Sequence, residues 1–213
     1  MRFVSTAGDS TRNRHPEPMF QFTRPTPLAI ANQIAAARSL PSTAPRLLSL
    51  NHTLGAIPPP SGFVHDQLHS CLGNGARAFQ AAKRAFETWA PFDLDWVRVA
   101  NPEAAIAPGQ VVAVEVHTVG LWTLNLSRII ETIDAPSRFG FIYATTSMHV
   151  EQGEERFLLE FDDASGDVSY DIEAVSRPRN TLARLAFPIS RTFQHRFARD
   201  SHRRMRVEHL AEK

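Results

Sequence analysis

This chain predicts an α+β fold: a curved antiparallel sheet wrapped on a long C-terminal helix. Three observations carry that expectation. From Gln110 to Val175 the apolar residues recur at period two in five runs joined by short turns, the pattern of an antiparallel meander. A strand-like run and an amphipathic helix precede the meander, and residues 177–207 keep an apolar stripe at helical spacing. A sheet with one wet face needs its other face covered, and the final helix has the stripe to cover it.

The elements follow in chain order. Residues 1–25 carry arginines but no compact apolar stretch, so a disordered arm is expected rather than a secretory signal. Asp9 and Glu17 argue against a transit segment. Pro25 and Pro27 introduce a helix over residues 28–40, stopped by Pro41. Residues 45–62 read as extended and close on the triple proline Pro58–Pro60. Residues 26–60 are therefore a helix-and-extended N-terminal extension, and the main domain is expected over 61–213.

Within that domain, residues 62–73 alternate as a strand. Asn74 is the expected cap of a helix whose Phe79, Ala82, Phe86 and Trp89 share one stripe. Pro91 ends it, and residues 93–100 form a short extended piece. The five meander strands are expected at 110–117, 121–133, 138–147, 155–163 and 167–175, with Gly120, Pro136 and Gly166 at turns. Leu182, Leu185, Ile189, Phe193 and Phe197 mark the last helix, in which Pro188 predicts a kink or restart.

Bulk properties narrow the function. A chain of 213 residues can bury a sizeable core, and its formal charge of +1 gives no global attraction to nucleic acid or membrane. The single cysteine, Cys71, rules out an internal disulfide and fits a reducing compartment, so the cytoplasm is the expected location. No apolar run reaches the ~18 residues that a membrane span needs.

The densest chemistry lies between Phe139 and Phe157. Phe139, Phe141, Tyr143 and Thr145 share one strand face, and a polar link follows with His149, Glu151, Gly153, Glu154 and Glu155. One imidazole with three carboxylates is the right ligand type for a divalent ion. Strand alternation, however, sends Glu154 and Glu155 to opposite faces, so no metal or cofactor is expected. His149 with Glu151 or Glu155 is instead the candidate acid–base pair of a hydrolase- or lyase-type enzyme. Ser147 stands two residues before His149, but adjacency in sequence does not make a nucleophile–base pair.

Other signals are weaker. Gly73-x-Gly75-x-x-Ala78, with Asp93 and Asp95 downstream, imitates a dinucleotide fingerprint. A meander is the wrong context for it, and a helix start explains the glycines. Charge is segregated: residues 151–173 hold nine acidic groups and one arginine, and residues 177–206 hold nine arginines and one aspartate. The expected outcome is mutual neutralisation within one fold, which makes nucleic acid an unlikely partner. Arg203, Arg204 and Arg206 are the cluster that could remain free to meet a membrane surface, an anion or a protein. Trp122, Asn125, Arg128, Tyr143, Thr145 and Phe193 are the candidate ligand-binding residues. The aromatics offer apolar area with a polar tip. Arg128, in an apolar strand, needs a hairpin glutamate or an acidic ligand as partner.

Several segments together resemble the uncharacterised bacterial and plant family called domain of unknown function nineteen-ninety. They are LGNGARAFQAAKRAFETW, LWTLNLSRI, FGFIYATTSMHVEQGEERF and SRPRNTLARLAFPISRTFQHRFARDS, in that order, over roughly residues 50 to 206. In the hairpin, Tyr143, Thr145, His149, Glu151, Gly153, Glu154 and Glu155 match the family's motif. Ala144 and Thr146-Ser147-Met148 depart from it at the turn that aims His149. The element order is similar to helix-grip, Bet v 1 and START-like domains, which hold apolar ligands. The resemblance therefore implies a small, largely apolar or acidic ligand between sheet and helix, with Arg128, His149 and Glu151 as its polar contacts.

Overall fold

The alternating runs become seven strands of one sheet in a computed structural model of the chain, in the order β1-β7-β6-β5-β4-β3-β2. The structure describes residues 20–44, 46–56, 58–149, 151–179 and 181–210, and their side chains outside 181–190 and 207–210. Most of the expected N-terminal arm and the side chains of Leu182, Leu185 and Ile189 lie outside the described set. The strands are β1 Val64–Asn74, β2 Val97–Val99, β3 Val111–Thr118, β4 Leu121–Ala135, β5 Arg138–Thr145, β6 Glu151–Phe161 and β7 Asp167–Pro178. Neighbours pair antiparallel throughout. The predicted meander is β3 to β7, and β1 returns from the N-terminal side to extend it beyond β7. The helices are α1 Pro27–Ala37, α2 Ala76–Glu87 and α3 Thr181–Leu210. The result is a curled, helix-grip-like α+β architecture.

Two details differ from expectation. Asn74 is the last residue of β1, and Gly75 caps α2 without a side-chain bond at φ 89°, a conformation that suits glycine. Asn74 instead donates to the Ser165 carbonyl at 3.3 Å. Pro188 does not restart the last helix, which runs uninterrupted from Thr181 to Leu210. Among the described residues no helix is long and apolar enough to cross a membrane.

The two sheet faces serve different purposes. On the inner face, Phe79 and Phe86 from α2 and Trp89 just beyond it meet Phe139, Phe141, Phe157 and Tyr170 in one buried cluster. Phe86 stands edge-on to Tyr170 at 5.2 Å, and Phe157 stacks on Phe141 at 5.0 Å. Full burial of each such ring contributes roughly 1.5–3 kcal/mol. The outer face is covered by α1, over Leu124 and Leu126, and by the following segment, whose Leu48 and Leu50 cover Ile142 and Leu158.

Buried charge fastens that segment. Glu154 accepts the backbone N–H groups of Leu47 and Leu48 at 2.8 Å each. Arg156, only 1% exposed, donates to the carbonyls of Ser49 and His52 and pairs with Glu173. The predicted alternation of Glu154 and Glu155 is thus realised, and Glu154 is a fastening for backbone on the outer face. Charge is also neutralised differently from expectation. Arg191, Arg196, Arg203 and Arg204 of α3 pair with Asp66, Asp200 and Asp93, whereas the acidic strands pair with Arg156, Arg138, His65 and His69.

Candidate functional site

The inner face of β6 changes character along its length: Glu151, Gly153 and Glu155 come first, then Phe157, Leu159 and Phe161. Only the second half is filled by the aromatics under α2. Over the first half, sheet and α3 leave a cavity of about 890 Å³. Phe92, Trp96, Val114, Ile172, Phe193 and Phe197 supply apolar wall. That volume lies in the range of sites that take small molecules.

Gly153 lets β7 approach β6 closely here. A Cβ at this position would stand 2.3 Å from the Val175 carbonyl oxygen and 2.7 Å from Ser176 Cα. The preceding turn is held by Thr146, whose N–H and hydroxyl both donate to the Leu126 carbonyl, at 3.1 and 2.7 Å. The Thr146 hydroxyl in turn accepts the Met148 N–H at 3.3 Å. Threonine chemistry therefore shapes this turn. The polar link is also shorter than expected, because β6 already begins at Glu151.

Of the predicted residues, Asn125, Tyr143, Thr145, His149, Glu151, Glu155 and Phe193 all border this cavity. Tyr143 donates its hydroxyl to Glu155 at 2.5 Å. Burial, foremost, with the nearby charges of Glu151 and Asp66, raises the Glu155 carboxyl to about 7 despite that bond. Burial and then Glu155 also hold the Tyr143 hydroxyl well above its usual range. Glu151 accepts from Ser176 at 3.0 Å and from Gln194 of α3 at 2.6 Å.

His149 turns its Nδ1 to the backbone N–H of Glu151 at 3.0 Å. An acceptor there leaves the neutral ring with its proton on Nε2. Burial, reinforced by Arg179, lowers the imidazole to about 4. His149 shows no hydrogen bond to a carboxylate among the described residues, so the acid–base pair expected from sequence spacing is not assembled. Ser147 is exposed on the turn. No group of three or more metal-ligating side chains converges among the described residues.

Trp122 and Arg128 fall on the other face. Alternation along β4 directs Thr123, Asn125 and Ser127 to the cavity, and Trp122, Leu124, Leu126 and Arg128 away from it. Arg128 donates to the carbonyls of Ala37, Arg38, Leu40 and Gly109 at 2.8–3.0 Å. Its partners are the open end of α1 and a loop carbonyl, neither a hairpin glutamate nor an acidic ligand. Trp122 stacks on His117 at 4.3 Å, and its backbone bridges that of Gln21. Arg24 lies over the Trp122 ring at 5.3 Å and pairs with the buried Glu115 at 3.1 Å. This strap brings Phe20 and Phe22 to the cavity rim beside Val119, at the tip of the β3–β4 hairpin. Phe22 is 88% exposed, and Val119 has φ 47°, strained for a β-branched residue.

The terminal arginine cluster is partly engaged. Arg203 pairs with Asp200, Arg204 pairs with Asp93 at 2.7 Å, and Arg206 is exposed. Sequence reasoning missed Gln194, Ser176, Trp96 and Ile172 as cavity residues. No local signal marks them, because their partners lie on other strands or on the opposing helix.

Sheet, helix and the cavity between them together define a helix-grip-like domain. The chain belongs to the family described as Domain of unknown function (DUF1990), whose model matches residues 50–204. It is similar to a UPF0548 protein of Dictyostelium discoideum, 38% identical over 152 residues, covering 66% of this chain and 70% of that one. A UPF0548 protein of Deinococcus radiodurans is 32% identical over 193 residues, covering 85% and 94%. Among solved structures, Ara h 8.0201 superposes with a TM-score of 0.48 at 15% identity, over 70% of this chain and 99% of that one. The di-domain ARO/CYC BexL gives 0.45 at 14% identity, over 70% and 50%.

Proposed function

We propose that this protein binds a small, largely apolar molecule in the cavity between its sheet and α3. The observation that carries the reading is the 890 Å³ space itself: apolar over most of its wall, with Tyr143, Glu155, Glu151 and His149 along one side. Burial of a ligand's apolar surface there supplies the affinity, and the polar groups orient it. A free acidic head is less well served than expected, because Arg128 is engaged on the outer face. We place the protein in the cytoplasm, in keeping with its single exposed, unbridged Cys71.

The test is uptake of N-phenyl-1-naphthylamine, a neutral fluorophore, by the purified protein, with native mass spectrometry of what co-purifies. One bound probe per chain is expected, lost in Ala174→Trp, which fills the cavity from β7. Probe binding unchanged by Ala174→Trp would place it elsewhere and remove the proposal's support.

A further inference from the structure

Resting on the cavity reading, we infer that the ligand carries a cationic nitrogen, an amine on an apolar body, and that Glu155 receives it. Glu155 is the reason. It projects from β6 among Phe157, Phe92 and Ile172, and Tyr143 is its hydrogen-bond partner. No arginine, lysine or histidine forms an ion pair with it among the described residues.

Arg199 borders the cavity from α3 as an exposed side chain, and Arg191 of the same helix is engaged with Asp66. Arg191 makes two bonds to Asp66, at 2.6 and 2.8 Å, and His195 adds a third at 3.0 Å. The neighbouring polar groups lean the same way. Gln194 gives its Nε2 to Glu151, so its Oε1 is left as a buried acceptor without a donor, and Asn125 Oδ1 is in the same position. Two amide oxygens without a donor suit a ligand that brings N–H groups.

The electrostatics agree. A carboxylate in an apolar site without a counter-charge is costly, and the protein meets that cost by holding Glu155 near half-protonation at neutral pH. An ammonium ligand removes the cost by supplying the missing charge. A carboxylate ligand would add to it, and an alcohol would satisfy the hydrogen bond alone. A charge-assisted bond to a desolvated carboxylate is expected to favour amine over alcohol by about tenfold.

The test is displacement of N-phenyl-1-naphthylamine by decylamine, decanol and decanoic acid, which share one apolar tail. Decylamine is expected to displace the probe at about one tenth of the decanol concentration, with decanoic acid weakest. In Glu155→Gln the advantage of decylamine over decanol should vanish. Tyr143→Phe, which frees the carboxylate, should keep or enlarge the advantage. Equal displacement by all three, preference for the acid, or an amine preference that survives Glu155→Gln would each overturn the inference while leaving the cavity reading intact. Failure of the probe or of all three tails to enter would sink the cavity reading itself.

Discussion

Tyr143 on β5 and Glu155 on β6 sit in register across the sheet, and the phenol donates to the carboxylate at 2.5 Å inside the cavity. Burial of this carboxylate, against the effect of the Tyr143 bond, sets a pH dependence. Folding raises Glu155 from 4.5 to about 7, so the folded state holds the extra proton between those values. Stability contributed by this group is therefore present at low pH and lost as pH rises through that window. Glu155→Gln removes the titration, so its stability relative to the parent protein should grow from pH 5 to 8. The slope should be at most about 1.4 kcal/mol per pH unit. Denaturant melts across this range would check it, and parallel curves would count against it.

Two histidines act in the opposite sense. Burial lowers both His149 and His202 from 6.5 to about 4, and His202 is further lowered by Arg206 and His69. Folding favours the neutral ring, so their contribution is present above pH 6.5 and is lost as pH falls towards 4. His202 stacks on Tyr170 at 4.4 Å and bonds Ser70 through Nδ1, so it couples α3 to β7 and β1. Replacing either histidine with glutamine should make the acid limb shallower. Imidazole titration by NMR should find both rings neutral at pH 5.5.

Arg128 should matter for stability and not for ligand. Arg128→Ala leaves four carbonyls without their charged donor, a loss of about 2–3 kcal/mol. Probe affinity at a temperature where the variant is folded should be unchanged. A large affinity loss would show that the outer face communicates with the cavity.

Gly153 should be intolerant of even one methyl group. Alanine there would drive Cβ into the Val175 carbonyl of the paired strand, and relief requires β6 and β7 to part. A destabilisation of about 1–3 kcal/mol is expected, together with weaker probe binding. A fully stable Gly153→Ala would mean that the two strands can part there without cost.

Arg24 should govern entry. Arg24→Ala removes both the stacking on Trp122 and the pairing with Glu115, and Glu115 keeps Arg98 as a partner. The fold should survive, while stopped-flow probe association and dissociation both accelerate several-fold. Unchanged rates would show that Phe20 and Phe22 do not obstruct the rim.

Period two and period 3.6 are local properties, so the meander, α2 and the final helix were legible as elements. The inner aromatic core was legible too, since Phe139, Phe141 and Phe157 share a parity along their strands. Asn74 misled because it stands where a cap often stands, whereas the positive φ needed at the helix start belongs to Gly75. Arg128 misled because an arginine among apolar residues signals only that a partner exists. Its partners are α1 carbonyls some ninety residues earlier in the chain.

By itself, then, the sequence determined the α+β order and the strand parities, while it grouped Trp122 and Arg128 with the inner-face candidates. Asn125, Tyr143, Thr145, His149, Glu151 and Glu155, among its candidates, border the cavity. Tertiary structure alone decided that the first half of β6 stays unfilled, that His149 bonds backbone rather than carboxylate, and that Arg191 is spent on Asp66. The physical reason is one of range. Hydrophobic periodicity is written along each strand, but a cavity, an ion pair and a shifted pKa depend on side chains from distant segments meeting at one depth in the sheet's curve.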